Sequence, residues 1–321
     1  LADVLPSTPA LRRDRGAVLG RLAVALRGFD HPHAHRDFHW DLARTTEVLA
    51  GNRAAVTDPE RRGLLDEVAR RFAADVEPRL ASLPHAVIHG DANDHNVLVE
   101  TGSASAATDR FTRVVGLLDF GDLVFSVVVA EVAVAASYHV KAGADAIGAL
   151  CDIAAGFHAE RPLSEAELEV LWDLTLARLA LSGVHAAVQG AQRPDDPYLS
   201  VDEESAWEAL RALVPVCPRL ALYRLRQACG FEPHPRAEEV RAHLAASAPA
   251  PLLGVDWSQL RTFPLDLSVG SDLVGSADAG AGPERFDRMI RRDVDGDRDA
   301  VGVGGYGEAR LLYTAPEFAD P

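Results

Sequence analysis

The sequence predicts an α+β fold: a mostly helical lobe built around one β-hairpin, followed by a small strand-containing C-terminal segment. Three observations carry this. The apolar runs Ala86-Val87-Ile88, Val97-Leu98-Val99 and Val114-Val115-Gly116-Leu117-Leu118 are rich in β-branched residues and bounded by turn residues, so they read as strands. Around them, apolar residues recur at helical spacing. Beyond residue 246 the helical pattern gives way to the linker Ser247-Ala248-Pro249-Ala250-Pro251 and to short runs punctuated by glycine. The expected division is therefore 1–246 and 247–321.

In chain order, the first helix spans about Leu11 to Leu26, with Val18, Leu19, Leu22 and Leu26 on one stripe. A loop follows, from Phe29 to Asp41. It holds His31, His33, His35 and His39, but Pro32 and the flanking aromatics mark a turn, no cysteine joins, and no H-E-x-x-H pattern is present. It reads as a loop, not a metal site. A helix from about Pro59 to Leu83 leads into the first strand. After the third strand, Leu123 to Tyr138 reads as a buried helix. Further helices are expected over about Ala142–Glu160, Glu165–Gln189, Asp202–Val214, Arg219–Cys229 and Ala237–Ala246. The tail then carries strand-like runs at Thr262–Val269, Val301–Val303 and Leu311–Tyr313.

The chemistry concentrates at two places on the predicted hairpin. His89-Gly90-Asp91-Ala92-Asn93-Asp94-His95-Asn96 reads H-G-D-x-x-x-x-N, and Leu118-Asp119-Phe120-Gly121-Asp122 reads L-D-F-G-D. Asp91 begins a loop, Val97–Val99 forms one arm of the hairpin, and Asp119 ends the other, so Asn96 and Asp119 come close together. One carboxylate can take the proton of an attacking hydroxyl. A carboxamide and a second carboxylate can hold a metal on ATP. Protein kinases place a catalytic-loop Asp, an Asn five residues later and a D-F-G Asp in these roles. Magnesium takes oxygen ligands and keeps several waters, so two protein ligands plus phosphates suffice. Each residue alone could cap a turn or end a strand. Such separate roles do not account for the ordered set.

This set resembles the aminoglycoside phosphotransferase and choline kinase superfamily, the small-molecule branch of the kinase-like fold, over about residues 1–235. Within it, Trp40-Asp41-Leu42 and H-G-D-A-N-D-H-N-V-L-V are most similar to the hydroxylysine kinase group. The resemblance implies a protein-kinase-like C-terminal lobe. It implies Asp91 as catalytic base, Asn96 and Asp119 as ligands of Mg2+ on ATP, and His89 and Asp122 as residues that orient the loop. A histidine at a strand end is also often just a buried, satisfied ring. Trp40 and Asp41 fall near the acceptor-binding part, although Trp40 serves equally as a core anchor. Glu131 either faces the acceptor or is a buried glutamate paired with an arginine such as Arg178. Tyr198, Glu204 and Trp207 are further candidates for the acceptor pocket, with a core role for Trp207 and a solvated one for Glu204 as the favoured alternative.

The sequence also departs from that superfamily. No glycine-rich strand-loop-strand, strand lysine or helix glutamate precedes the motifs, and no lysine at all precedes Asp119. The chain is therefore expected to begin in mid-domain. The tail resembles the join where a hydroxylysine-kinase-like unit precedes a lysostaphin-like peptidase fold and an aminotransferase unit, which implies such neighbours in a longer chain. No histidine follows His243, so neither zinc nor peptidase activity is expected. Asp293-Val294-Asp295-Gly296-Asp297 is no calcium loop, because its glycine falls at the fourth position and Gly304 stands where a glutamate is needed.

Composition bounds the rest. The 321 residues are 48% hydrophobic, enough for a sizeable core. A net charge of -16 and a pI of about 5.1 argue against nucleic acid or an anionic membrane as partner. No run of apolar residues is long enough to span a bilayer, and no signal peptide opens the chain. Cys151, Cys217 and Cys229 have neither metal-ligand spacing nor an even count for a disulfide framework. A cytoplasmic phosphotransferase acting on a hydroxylated amino acid or amino alcohol is the expectation. Two other classes stay open: a non-catalytic, pseudokinase-like module of a multidomain aminotransferase protein, and an aminoglycoside-resistance enzyme.

Overall fold

The structure, a computed structural model, describes residues 7–101, 111–140, 145–192 and 197–233. Chain contacts divide the molecule into Leu1–Phe231 and Glu232–Pro321. The predicted helix at Ala237–Ala246, the linker, the tail strands and the acidic turn at 293–297 lie outside the described residues.

The first unit is a helical lobe with two small antiparallel strand pairs. Helix α1 spans Pro9–Ala25, and Thr8 caps it by accepting the Leu11 N–H at 3.2 Å. It backs the hairpin and the loop that carries the first motif. One face packs Leu11 and Val18 on the hairpin, against Val97, Val99 and Val114. Another face lies against α6, Ala146–Glu160. Here the backbones touch: a Cβ on Gly16 would stand 2.0 Å from the Ile153 carbonyl oxygen, and one on Gly156 would stand 1.9 Å from that of Arg13. No other residue type fits that crossing.

Helices α2 (Thr45–Asn52), α3 (Pro59–Arg71) and α4 (Glu77–Leu80) lead to the strands. Between α3 and α4, Phe72–Val76 forms a π-helical turn, so the predicted single helix is one path with an interruption. Asp58 caps α3 through the Arg61 N–H, with Pro59 at the first helical position.

Strand β1 (His85–Ile88) enters the first motif. Strands β2 (Val97–Thr101) and β3 (Phe111–Leu117) form the predicted hairpin, with Val97 opposite Leu117. The partner of β1 differs from expectation. Val124–Val127, read as the start of a helix, is strand β4, and it pairs antiparallel with β1 from His85–Val127 to Ile88–Val124. A four-residue run of Val-Phe-Ser-Val has no period that separates strand from buried helix. A non-local partner decides it. Helix α5 begins only at Ala130 and ends at Val140.

The remaining helices complete the core. Helix α7 (Glu165–Gln192) has 28 residues and so runs for about 42 Å through the lobe. Helices α8 (Pro197–Leu213) and α9 (Pro218–Ala228) close over it. One continuous apolar cluster joins Leu49, Phe72, Val129, Phe157, Leu174 and Trp207. No described helix is long and apolar enough to cross a membrane.

Candidate functional site

The turn after β1 is shaped by Gly90, whose φ of +75° puts it in the left-handed region. The Asp122 backbone passes so close that a Cβ on Gly90 would lie 3.2 Å from its carbonyl oxygen. The Gly90 N–H donates to Glu131 Oε1 at 2.9 Å, from the first turn of α5. Glu131 is only 2% exposed, and burial pushes its carboxyl above the usual carboxylate range. Its other oxygen has no partner. Glu131 therefore fastens the corner of the loop. The Arg178 pairing considered for it does not occur: Arg178 bonds elsewhere.

His89 is fully buried and uses both ring nitrogens. The Asp91 N–H donates to Nδ1 at 3.3 Å, so Nε2 carries the proton and donates to the Leu118 carbonyl at 2.9 Å. The Leu118 N–H in turn donates to the Asn96 carbonyl at 2.8 Å. One residue of the second motif, Leu118, is thus held through both its backbone N–H and its carbonyl by the first. The next residue, Asp119, takes φ 57°, ψ 76°, the one non-glycine with positive φ among the described residues. Such strain persists where surrounding bonds enforce it. Asp119 caps the short helical turn Phe120–Asp122 through the Gly121 N–H at 3.2 Å, and its carboxylate is exposed.

Asp91 sits half-buried beyond the glycine corner. Its Oδ2 accepts from the Asn93 amide at 2.8 Å and the Asn96 amide at 3.1 Å. Its Oδ1 faces the other way, 3.8 Å from Arg178 Nη2. Burial, with the nearby Asp122 charge, raises the Asp91 carboxyl above its ordinary range, while the Asn93 amide and Arg178 oppose that. Asn96 also donates to the Asp91 carbonyl at 2.9 Å. Its NH2 group is thereby engaged, which fixes the amide orientation and leaves the carboxamide oxygen available. The residues fit magnesium: a free carboxamide oxygen on Asn96 and an exposed carboxylate on Asp119, joined through the Leu118–Asn96 backbone bond, are hard oxygen donors. Asp122 lies 3.8 Å from Arg36 and is partly exposed.

The acceptor-side candidates separate. Trp40 lies with its ring 4.2 Å from the Arg178 guanidinium and 4.4 Å from the His185 ring, so it belongs to the Asp91 neighbourhood. Asp41 is 8% exposed, caps a short turn through the Ala43 N–H at 3.0 Å, and accepts from Ser126 Oγ at 2.5 Å. Trp207 is buried in the core, and Glu204 pairs with Arg61 at 2.5 Å on the surface. The side chain of Tyr198 lies outside the described residues.

Two arginines join the site without any motif to announce them. Arg178, on α7, is described above. Arg15, on α1, is fully buried; its Nη1 bonds Asp94 Oδ1 at 2.6 Å and His139 Nε2 at 2.7 Å, and its Nη2 donates to the Ala92 carbonyl. It clamps the loop between Asp91 and Asn96. Burial, with the Arg15 charge, drives His139 down to about 3, so it stays neutral and accepts from Arg15. The signal for Arg178 was a charged residue inside the apolar helical run Leu174–Leu181, which demands buried partners, whereas Arg15, beside Arg12, Arg13 and Asp14, carried no such signal.

Comparison with known proteins identifies the family of the chain. Residues 2–163 match the phosphotransferase enzyme family. Hydroxylysine kinase of Mus musculus is 33% identical over 204 residues, covering 61% of this chain and 54% of the relative. That of Xenopus laevis is 29% identical over 213 residues (64% and 57%), and that of Danio rerio 25% over 211 (64% and 58%). The chain spans about half the length of the curated relatives it matches. It belongs to the phosphotransferase enzyme family.

Proposed function

We propose that this phosphotransferase-family chain carries the catalytic lobe of an ATP-dependent enzyme that phosphorylates a hydroxyl on a small molecule, a hydroxylated amino acid or amino alcohol. The observation that carries the reading is the position of Asp91. It is anchored on one oxygen by two amides, and its other oxygen faces the cluster of Arg178 and Trp40. Similarity to hydroxylysine kinases favours an amino-acid acceptor over an aminoglycoside.

Asp91 accepts or aligns the hydroxyl proton of the acceptor. Its raised pKa brings it nearer working pH, where a base is most effective. Asn96 and Asp119 would hold magnesium, which supplies charge neutralisation on the phosphates of ATP. His89 keeps these two at a fixed spacing by gripping Leu118, and Glu131 and Gly90 set the direction in which Asp91 leaves the strand. Asp122 adds negative charge beside Asp91 and pairs with Arg36. Residues 1–246 form the catalytic unit in this reading, and 247–321 a separate segment.

The test is transfer of the ATP γ-phosphate to hydroxylysine. Asp91→Ala should lower turnover by at least about 100-fold, the usual weight of a positioned base, with the melting temperature little changed. A near-normal rate in that variant would remove Asp91 from the mechanism.

A further inference from the structure

We infer that Arg178 is the receptor for a carboxylate on the acceptor, so that the substrate is a hydroxylated amino acid and not an amino alcohol. The inference rests on the phosphotransferase reading of the Asp91 site and decides between its two acceptor classes.

The two oxygens of Asp91 divide the site. Oδ2 faces the amides of Asn93 and Asn96, the metal side. Oδ1 faces Arg178, so the guanidinium lies on the opposite, acceptor side. It is 4% exposed. Nη1 donates to Ser182 Oγ at 2.7 Å, and Nη2 donates to Tyr138 Oη at 2.8 Å. The partly exposed Trp40 lies against its face. Nε has no hydrogen-bond partner.

A buried guanidinium N–H without an acceptor is costly, and native structures rarely keep one without reason. The long contact to Asp91, at 3.8 Å, is too far for a hydrogen bond and does not neutralise Arg178 through direct bonding. What remains is a planar cation with an unused donor, fixed by two hydroxyls and an indole, beside the catalytic carboxylate. That is the geometry for side-on, bidentate capture of a carboxylate through Nε and Nη2. The acceptor hydroxyl would then bond Asp91 while its carboxylate, a few carbons away, bonds Arg178. An ammonium group has no favourable place against this cation. An amino alcohol lacking the carboxylate leaves the donor unsatisfied, and sites of that kind reject such analogues strongly.

Titration calorimetry on the full chain tests this with two probes, hydroxylysine and its decarboxylated amino alcohol. The wild type should prefer hydroxylysine by about 10- to 100-fold, the weight of one or two charge-assisted hydrogen bonds. Arg178→Gln should bring the two affinities to within about threefold, and Arg178→Lys, a point charge without the fork, should recover part of the preference. If the Gln variant does not fold, Tyr138→Phe gives the answer: loss of the Nη2 anchor should lower hydroxylysine affinity several-fold more than that of the amino alcohol. An unchanged preference in Arg178→Gln or Tyr138→Phe, or no hydroxylysine binding to the wild type, overturns the inference. Phosphate transfer measured in parallel separates the two claims. Transfer without carboxylate preference removes only the role of Arg178. Arg178-dependent binding without transfer removes the phosphotransferase reading and leaves the carboxylate site.

Discussion

Replacing Arg15 by Leu should destabilise the lobe by about 3 kcal/mol, and the structure shows why the figure is neither trivial nor extreme. Leucine keeps the helix propensity of α1 and fills most of the apolar volume. What it cannot do is donate. The Ala92 carbonyl, on a fully buried residue, and His139 Nε2, on a residue 9% exposed, lose their donor. Each buried acceptor left alone costs about 1–3 kcal/mol. Asp94, whose side chain is 24% exposed, regains water and adds little. Arg15 Nε has no partner in the wild type, so its removal returns part of the loss. The balance falls at the low end of the cost of breaking a buried ion pair, about 3–5 kcal/mol. Urea denaturation should show a lower midpoint at constant slope. Amide exchange at residues 92–96 should accelerate more than that of α7, because the loop loses its clamp. A change within about 0.5 kcal/mol, the size of an ordinary surface substitution, would refute the argument.

Three further outcomes follow from the same structure. His139 is neutral in the folded lobe, held at about 3 against an ordinary 6.5, so its contribution is present above pH 6.5 and lost as pH falls toward 3. Asp173, pushed up to about 6 by burial, acts in the opposite sense: its contribution is present below its ordinary 3.8 and lost as pH rises through about 6. The stability of the wild type relative to His139→Gln isolates the first effect; it should shrink by up to about 1.4 kcal/mol per pH unit on acidification, and parallel curves would exclude it. Gly156→Ala should cost about 3 kcal/mol or more, because its Cβ meets the Arg13 carbonyl at 1.9 Å, whereas Gly63→Ala, with open space around it in α3, should gain about 0.5–1 kcal/mol. Thermal melts of the pair check both signs. Glu131→Leu, which removes the acceptor of the Gly90 N–H, should loosen the Gly90 corner and lower turnover by about 10-fold or more with a smaller effect on KM, since Glu131 acts only through the backbone of the loop; equal rates would show that the corner holds itself.

The sequence made the reacting set legible because local order encodes it. Asp91 and Asn96 are five residues apart on one loop, and the two apolar arms that follow can only fold back as a hairpin. Helices with clear apolar stripes were legible for the same reason. What was not legible depends on distant partners. Strand β4 exists because β1 offers a free edge, and its four residues carry no period of their own. The π-helical turn at Phe72–Val76 left no mark in an otherwise helical pattern. Arg15 meets Asp94 across 79 positions and His139 across 124, so no window of sequence contains the clamp. Glu131 was seen as a buried acid, but its partner is a backbone N–H, which the side-chain alphabet cannot show.

Magnesium-dependent ATP binding, measured by calorimetry on the full chain with Asp119→Ala as control, tests the central claim most directly. The account predicts saturable binding that requires magnesium and weakens by at least about 10-fold in the variant, since a metal ligand and its charge are removed. Binding that ignores either magnesium or Asp119, or no binding at all, would contradict the assignment of Asn96 and Asp119 as the metal-holding pair.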